Sequence, residues 1–378
     1  MADNMSPSRA TRFCESDEER QLAASADRFV QASYSYEAWR GVARSSSYSS
    51  ENWSQMSELG WLMLGLPTEH EGLGLGIRET MILMESLGRG IVLEPYWSTA
   101  VLCAQLIQNI ATPTQQSELL PRIAHGKLRL AFADTEPGKR WQSDSPTCNA
   151  VKRDGKFWIT GNKIAVLDAP CADALLVLAS CPDGGVSVFL VQNDAKGVCR
   201  RDFPTVDSRR CADIRFDDAP AEMCLGTPGE AAQDVALAKD YASIALCAES
   251  LGAMKYLIET TIEYLKTRQQ FGRPLADFQV LRHRVVDMFI ASEQARSLTI
   301  MAAATLDRSP AERGRSVSAA KWQCGRAGIF IGEAAVHLHG GVGMTEELPV
   351  GQYFKRLLAI DALLGNAGYH LQRFIQLS

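Results

Sequence analysis

The sequence predicts an α+β protein laid out in three consecutive blocks: helical, then β, then helical. Three observations carry this reading. Apolar residues recur at spacings of three and four from Asp17 to about His125. At about Leu128 the period shortens to two and stays so to about Pro220. Helical spacing returns near Gly229. The expected divisions are 1–126, 127–226 and 227–378.

In the first block, EERQLAASADRFVQ and RETMILMESLGRGI show the helical spacing most clearly. The segment Pro67-Thr-Glu-His-Glu-Gly-Leu-Gly-Leu-Gly76 separates two such helices, and its glycines allow a tight turn. The Ser-rich patch Ser45–Ser50 reads as a loop. In the second block Leu128–Asp134, Lys156–Thr160 and Val186–Val191 alternate. Asp154-Gly155 and Asp183-Gly-Gly185 are hairpin signals between strands. The third block divides into four helices, about 230–268, 276–306, 310–339 and 349–364, and then a short tail helix. There are no internal repeats.

Composition excludes several classes. Of 378 residues, 46% are hydrophobic and 22% charged, ordinary for a globular protein. A net charge of −5 argues against a nucleic-acid partner, which calls for a basic excess. It leaves room for a phosphate-bearing small molecule held by a few arginines. The N-terminal stretch MADNMSPSRATRF lacks the apolar centre of a secretory signal. Apolar runs such as Ala174–Ala179 fall far short of the ~20 residues a membrane helix needs. The 10 cysteines are scattered singly without a CxxC pair, which suits reduced thiols in a cytoplasm. His337 and His339 alternate, but no third ligand has metal-site spacing, so no metal is expected.

Three segments carry candidate chemistry. Arg268-Gln-Gln-Phe-Gly272 is expected to end a long helix, with Pro274 and Phe278-Gln279 following. Its arginine suits two-pronged bonds to a phosphate, although an arginine at a helix C-terminus is also favoured by the macrodipole. In His337-Leu-His-Gly-Gly-Val-Gly-Met-Thr345 the glycines permit close backbone approach by a ligand, or a plain inter-helix turn. Asp134-Thr-Glu-Pro-Gly138 follows a strand and reads either as a Pro-Gly turn or as a loop lying against a ligand.

Together and in this order, these segments resemble the acyl-CoA dehydrogenase family over roughly 15–375. TRQQFGRPLADFQVLRHRVVDM is similar to its RxxFG…FQ segment, HLHGGVGMTEELPV to its Gly-Gly-x-Gly segment, ADTEPG to its TEPG loop and LPTEHEGLGLG to its N-terminal glycine loop. PVGQYFKRL and LCAESLGAMKYLIETTIEYLKTRQQFG resemble most the pimeloyl-CoA and steroid-side-chain branches. The resemblance implies an N-terminal helical domain, a central β-barrel-like domain and a C-terminal four-helix bundle. It implies an FAD-dependent oligomer of fatty-acid or steroid-side-chain catabolism, handing electrons to an electron-transfer flavoprotein. In that chemistry a carboxylate takes the α-proton of an acyl-CoA while the flavin takes the β-hydride. The resemblance places Arg268, Phe271, Gln279, His337, Gly340 and Gly341 on the adenosine diphosphate half of a neighbour's FAD, with Thr135 also at the cofactor. His337 stands where the family usually has Gln.

The sequence departs from the family at the chemistry itself. The usual catalytic glutamate precedes a glycine after the last bundle helix; that position is Leu364, before Gly365. The alternative glutamate position falls on Ala242-Ser243. The flavin-contacting hydroxyls and indole fall on Lys139-Arg-Trp141 and Ala165-Val-Leu167. Asp361, one turn before Leu364, and Asp240, just before Ala242, are the candidate replacement bases, with Glu249 behind them. The expected assembly is a homo-oligomer or a heterotetramer with an unlike dehydrogenase chain, in which this chain would be the supporting subunit. The other classes kept open are a non-catalytic scaffold of the same fold and a flavin monooxygenase of related architecture.

Overall fold

The computed structural model describes residues 16–45, 48–141, 145–181 and 184–378. The first block folds into α1 (Asp17–Ser33), α2 (Tyr36–Ser45), α3 (Ser50–Glu58), α4 (Ile77–Arg89), α5 (Ala104–Ile110) and α6 (Pro113–Ala124). Capping chemistry sets several of these boundaries. Ser16 and Glu19 close a capping box on α1, and Thr112 and Gln115 do so on α6, where Pro113 opens the first turn. The Ser-rich patch falls between two helices, with Tyr48 and Ser49 outside regular structure. Ser45 ends α2 and Ser49 accepts from the Asn52 amide at 3.2 Å to start α3, while residues 46 and 47 lie outside the described set.

The β block comprises β1 (Leu130–Ala133), β2 (Asn149–Arg153), β3 (Lys156–Leu167), β4 (Ala174–Ser180), β5 (Val186–Gln192), β6 (Val198–Pro204), β7 (Arg210–Pro220) and β8 (Met223–Cys224). They form one mixed sheet in the order β6-β7-β3-β2-β4-β5-β8, with β1 parallel to β4. Asp154 and Gly155, both at positive φ, make the expected turn between β2 and β3. The Asp183 hairpin signal lies partly outside the described residues. The barrel-like expectation is not met: β6 and β8 end the sheet, and no pairing joins them among the described residues. The physical reason is visible in the end strands. β8 has two residues, and β6 exposes Arg200, Arg201 and Asp202, charges that blunt an edge rather than extend it.

The last block holds α7 (Ala232–Thr267), a small hairpin of β9 (Gln269–Gln270) and β10 (Arg273–Pro274), α8 (Gln279–Ala304), α9 (Pro310–His339), α10 (Val350–Ala362) and α11 (Ala367–Gln376). Every residue of α7 from Ala242 to Met254 is buried, because α4, α5, α8, α9 and α10 surround it. Gly88 on α4 and Gly252 on α7 let these two backbones touch. A methyl on either would overlap a carbonyl oxygen of the other helix, Glu249 or Glu85. The long helix ends where the sequence suggests, with Arg268 as its C-cap, and the rest of the segment turns into the hairpin. α7 stops at Thr267, and Phe271 and Gly272, at φ of 56° and 78°, form the hairpin tip. Among the described residues no helix is long and apolar enough to cross a membrane, and no group of three or more His, Cys, Asp or Glu could hold a metal.

Candidate cofactor and substrate sites

The three blocks meet around a cavity of about 510 Å³, a size that suits a small-molecule ligand. Its walls come from a π-helical segment (Trp97–Cys103), the loop after β1, the start of α7, the end of α10 and the start of α11. π-helical turns are rare and concentrate at functional sites. This one turns Trp97 and Ser98 toward the cavity.

The loop after β1 is anchored by Glu136, which is 1% exposed. Glu136 accepts from Lys163 Nζ at 2.8 Å, from the Thr147 amide and hydroxyl at 2.6 Å each, and from the Cys148 amide at 2.9 Å. Burial alone would raise its pKa, but these donors outweigh burial and bring it to about 2. The anchor places Thr135 on the cavity wall, its hydroxyl donating to Asp134 at 3.1 Å.

All three lysine or arginine side chains on this wall have carboxylate partners. Lys239 pairs with Asp134. Arg373 donates to Asp240 at 2.7 Å, and Arg313 from outside the cavity donates to its other oxygen at 3.1 Å. Arg356 grips Glu249 with two nitrogens at 2.7 and 2.9 Å and Asp207 with the third at 2.7 Å. His370 is held neutral, its pKa pushed down to about 2 by burial and then by Lys321 and Arg373.

The positions singled out for a base separate here. Leu364 lines the cavity. Ala242 is buried, and its carbonyl accepts the Trp97 indole N–H at 3.0 Å. Asp240 is on the wall, but both carboxylate oxygens are taken by arginines. Asp361 is not on the wall; its carboxylate lies against Gly325 and accepts the Ala367 amide at 2.9 Å. Glu249 is locked to Arg356. Ala165 and Leu167 line the cavity with no hydroxyl or indole to offer, while Trp141 crosses to α10, its N–H donating to the Ala362 carbonyl at 2.8 Å.

A second set of residues gathers at the opposite end of α7. α7, α8 and α9 alternate in direction, so the end of α7, the start of α8 and the end of α9 share one face. Arg268, Gln279, His337, Gly340 and Gly341 are all exposed there, and Phe271 is 89% exposed. Nothing stands within 4 Å of a side chain built on Gly340 or Gly341. Tyr264 ties the helix ends together, stacking on His339 at 4.4 Å and donating to its carbonyl at 3.2 Å. Arg268 makes no ion pair among the described residues. From Asp240 to Arg268 the helix advances about 28 residues, or roughly 42 Å. Thus Thr135 and the other six expected cofactor residues lie in two places.

Family models for the acyl-CoA dehydrogenase N-terminal, middle and C-terminal domains match residues 16–127, 131–219 and 238–375. The chain is 30% identical to the acyl-CoA dehydrogenase FadE12 of Mycobacterium tuberculosis, covering 90% of each. This chain belongs to the acyl-CoA dehydrogenase family. Among solved structures it resembles a variant of the Tcur3481-Tcur3483 steroid ACAD, with 31% identity, 96% and 97% coverage and a TM-score of 0.87. It also resembles the ChsE4-ChsE5 complex from Mycobacterium tuberculosis, with 25% identity, 97% and 98% coverage and a TM-score of 0.88.

Acyl-CoA dehydrogenases are FAD-dependent oxidoreductases acting on CH–CH bonds. The two regions of this member fit that cofactor unequally. The far end offers an arginine with no ion pair among the described residues, an exposed aromatic ring and bare glycine backbone, chemistry compatible with an adenosine diphosphate. Beside that turn, the buried His339 Nε2 has no hydrogen-bond partner among the described residues. In the cavity each lining Lys and Arg is paired with a carboxylate, and 165–167 offer no polar side chain, while Ser98, Thr135, Thr205 and Ser243 bring hydroxyls to the wall. Sequence reading missed Lys239 and Arg356 because their partners are remote in the chain: 107 residues for Arg356–Glu249 and 149 for Arg356–Asp207; it also missed His370, six residues from the Leu364 carbonyl that it meets. No local signal points to Lys239 or Arg356.

Proposed function

We propose that this chain is the supporting subunit of a heteromeric, FAD-dependent acyl-CoA dehydrogenase. It lends the adenosine grip of Arg268, Phe271, Gln279, His337, Gly340 and Gly341 to a flavin whose ring lies in an unlike partner chain. The observation that carries this reading is the distance of roughly 42 Å along α7 between grip and cavity, a span no dinucleotide bridges. A grip so placed serves a neighbour. Two of the similar solved structures are named as pairs of chains, one of them a complex, which supports an unlike partner over a second copy.

In this reading the chain's own cavity has given up proton abstraction. Leu364 offers no proton acceptor where the family's base stands. Asp240 serves as an anchor for Arg313 and Arg373, and Asp361 as a clamp on the α10–α11 connection. The partner supplies the carboxylate that takes the α-proton, and its bound flavin supplies the hydride acceptor. Thr135, on the cavity wall of this chain, has lost its cofactor role. The substrate is an acyl-CoA, with a steroid-type acyl group favoured by the relatives' names, and the electron acceptor is an electron-transfer flavoprotein. The assembly works in the cytoplasm. The divisions at 127 and 227 separate the lending bundle from the two blocks that complete the cavity.

The test is expression of the chain alone and together with an unlike dehydrogenase chain encoded beside it. Alone it should purify with little FAD and no acyl-CoA dehydrogenation; together the complex should be yellow and active. A yellow, active homomer would refute the proposal.

A further inference from the structure

The connection between α10 and α11 carries Leu364 to the cavity wall, and it is held from below by a lysine. Lys321 on α9 is 2% exposed and makes no ion pair among the described residues. Its ammonium donates to the carbonyls of Ile360 at 2.7 Å and Leu363 at 2.9 Å, with Asp361 O at 3.5 Å. These are carbonyls that the end of α10 would otherwise leave unsatisfied. Burial pushes the Lys321 pKa down, and the negative end of the helix dipole opposes that push.

The rest of the connection is fixed as tightly. Trp141 donates to the Ala362 carbonyl at 2.8 Å, His370 Nε2 lies 3.2 Å from the Leu364 carbonyl, and Asp361 accepts the Ala367 amide. Within that frame Leu364 has φ of 57° and Gly365 has φ of 114°. Leucine disfavours the left-handed region. A leucine stays there only where its surroundings over-determine the backbone.

We propose that Lys321 is a positioning residue for the cavity: bonded to the carbonyls at the end of α10, its ammonium holds the α10–α11 connection in the backbone conformation that turns side chain 364 to the cavity wall. The family's base position is therefore kept as a seat even though its occupant is leucine. This proposal rests on the reading given above only for the significance of position 364. It needs neither FAD nor a partner to be tested, so its failure and the failure of the heteromer reading show in different measurements.

The test is hydrogen exchange of the full chain, read at the Leu363 and Ala367 amides, for Lys321→Met, Leu364→Gly and the double variant. Lys321→Met should speed exchange at these amides about tenfold or more, as expected for losing hydrogen bonds to a charged donor, while the α7 amides keep their protection. Adding Leu364→Gly should return exchange to within about threefold of the parent, because glycine adopts a positive φ without the steric cost that leucine pays there. A lysine that merely filled space would give no such rescue. Unchanged loop exchange in Lys321→Met, loss spread evenly through α9 and α10, or failure of Leu364→Gly to rescue would each overturn the proposal. If Lys321→Met does not fold, Lys321→Gln, which keeps a donor, should show a smaller rise of about threefold with the same rescue. No rise, or no rescue, would overturn the proposal there too.

Discussion

The two ends of α7 put their cations to opposite uses. At the cavity end Lys239, Arg356 and Arg373 are all bound to carboxylates of this same chain. At the far end Arg268 is exposed without an ion pair among the described residues, beside an exposed phenylalanine and bare glycines. The first arrangement stabilises a fold and has little left for a ligand. The second gains little for the fold and suits an outside anion. The contrast teaches that one helix can carry internally paired cations at one end and an arginine open to solvent at the other.

The contrast can be broken at its strongest point by Arg356→Met. Removing this guanidinium leaves Glu249 and Asp207 buried without their main partner, which costs about 3–5 kcal/mol. Denaturant unfolding should show stability falling by that amount. A loss below about 1 kcal/mol would mean the buried charges are not coupled as their geometry indicates.

The pH dependence of stability sharpens the same end. Glu94 is 1% exposed and accepts from the Tyr34 hydroxyl, the Ser49 amide and Asn52. Burial nevertheless raises its pKa from 4.5 to about 7, with Arg209 opposing and Asp168 adding to the rise. A carboxyl with a raised folded pKa favours folding below about pH 4.5, and that contribution disappears as pH climbs through 7. The shift corresponds to on the order of 3 kcal/mol. Glu94→Gln should flatten that part of the stability–pH profile between about pH 5 and 8, and an unchanged profile would exclude Glu94 as the titrating group.

At the far end the expected sign reverses. Arg268→Ala should leave the chain's stability within about 0.5 kcal/mol of the parent. It should weaken FAD retention by the co-expressed complex by about 10- to 100-fold, as for one lost charge-assisted bond pair to phosphate. The smallest effect is expected for Trp141→Phe, which removes one N–H bond to Ala362 and costs about 1 kcal/mol with no change in FAD retention.

Much of the far end was legible in the sequence because its residues lie in two short stretches, Arg268–Gln279 and His337–Gly341, and α-helical spacing shows where those stretches fall. The hairpin at 269–274 was not, since Phe271 at positive φ gives no composition signal like that of Asp154-Gly155. The open sheet was also hidden: strand periodicity reports faces, not which edges pair. Besides Thr135 and Asp240, the cavity was legible as a set of missing residues at 165–167, 242 and 364. Its charge network depends on partners more than 100 residues apart. Asp361 illustrates the limit. One helical turn from Leu364 in sequence, its carboxylate turns instead to Gly325 and the Ala367 amide.

The most direct measurement is the FAD content of the purified chain, alone and co-expressed with its unlike neighbour, with and without Arg268→Ala. The account predicts almost no flavin on the chain alone, a flavin-bearing complex, and loss of that flavin when Arg268 is removed. Stoichiometric flavin on the chain alone, together with acyl-CoA oxidation, would contradict it.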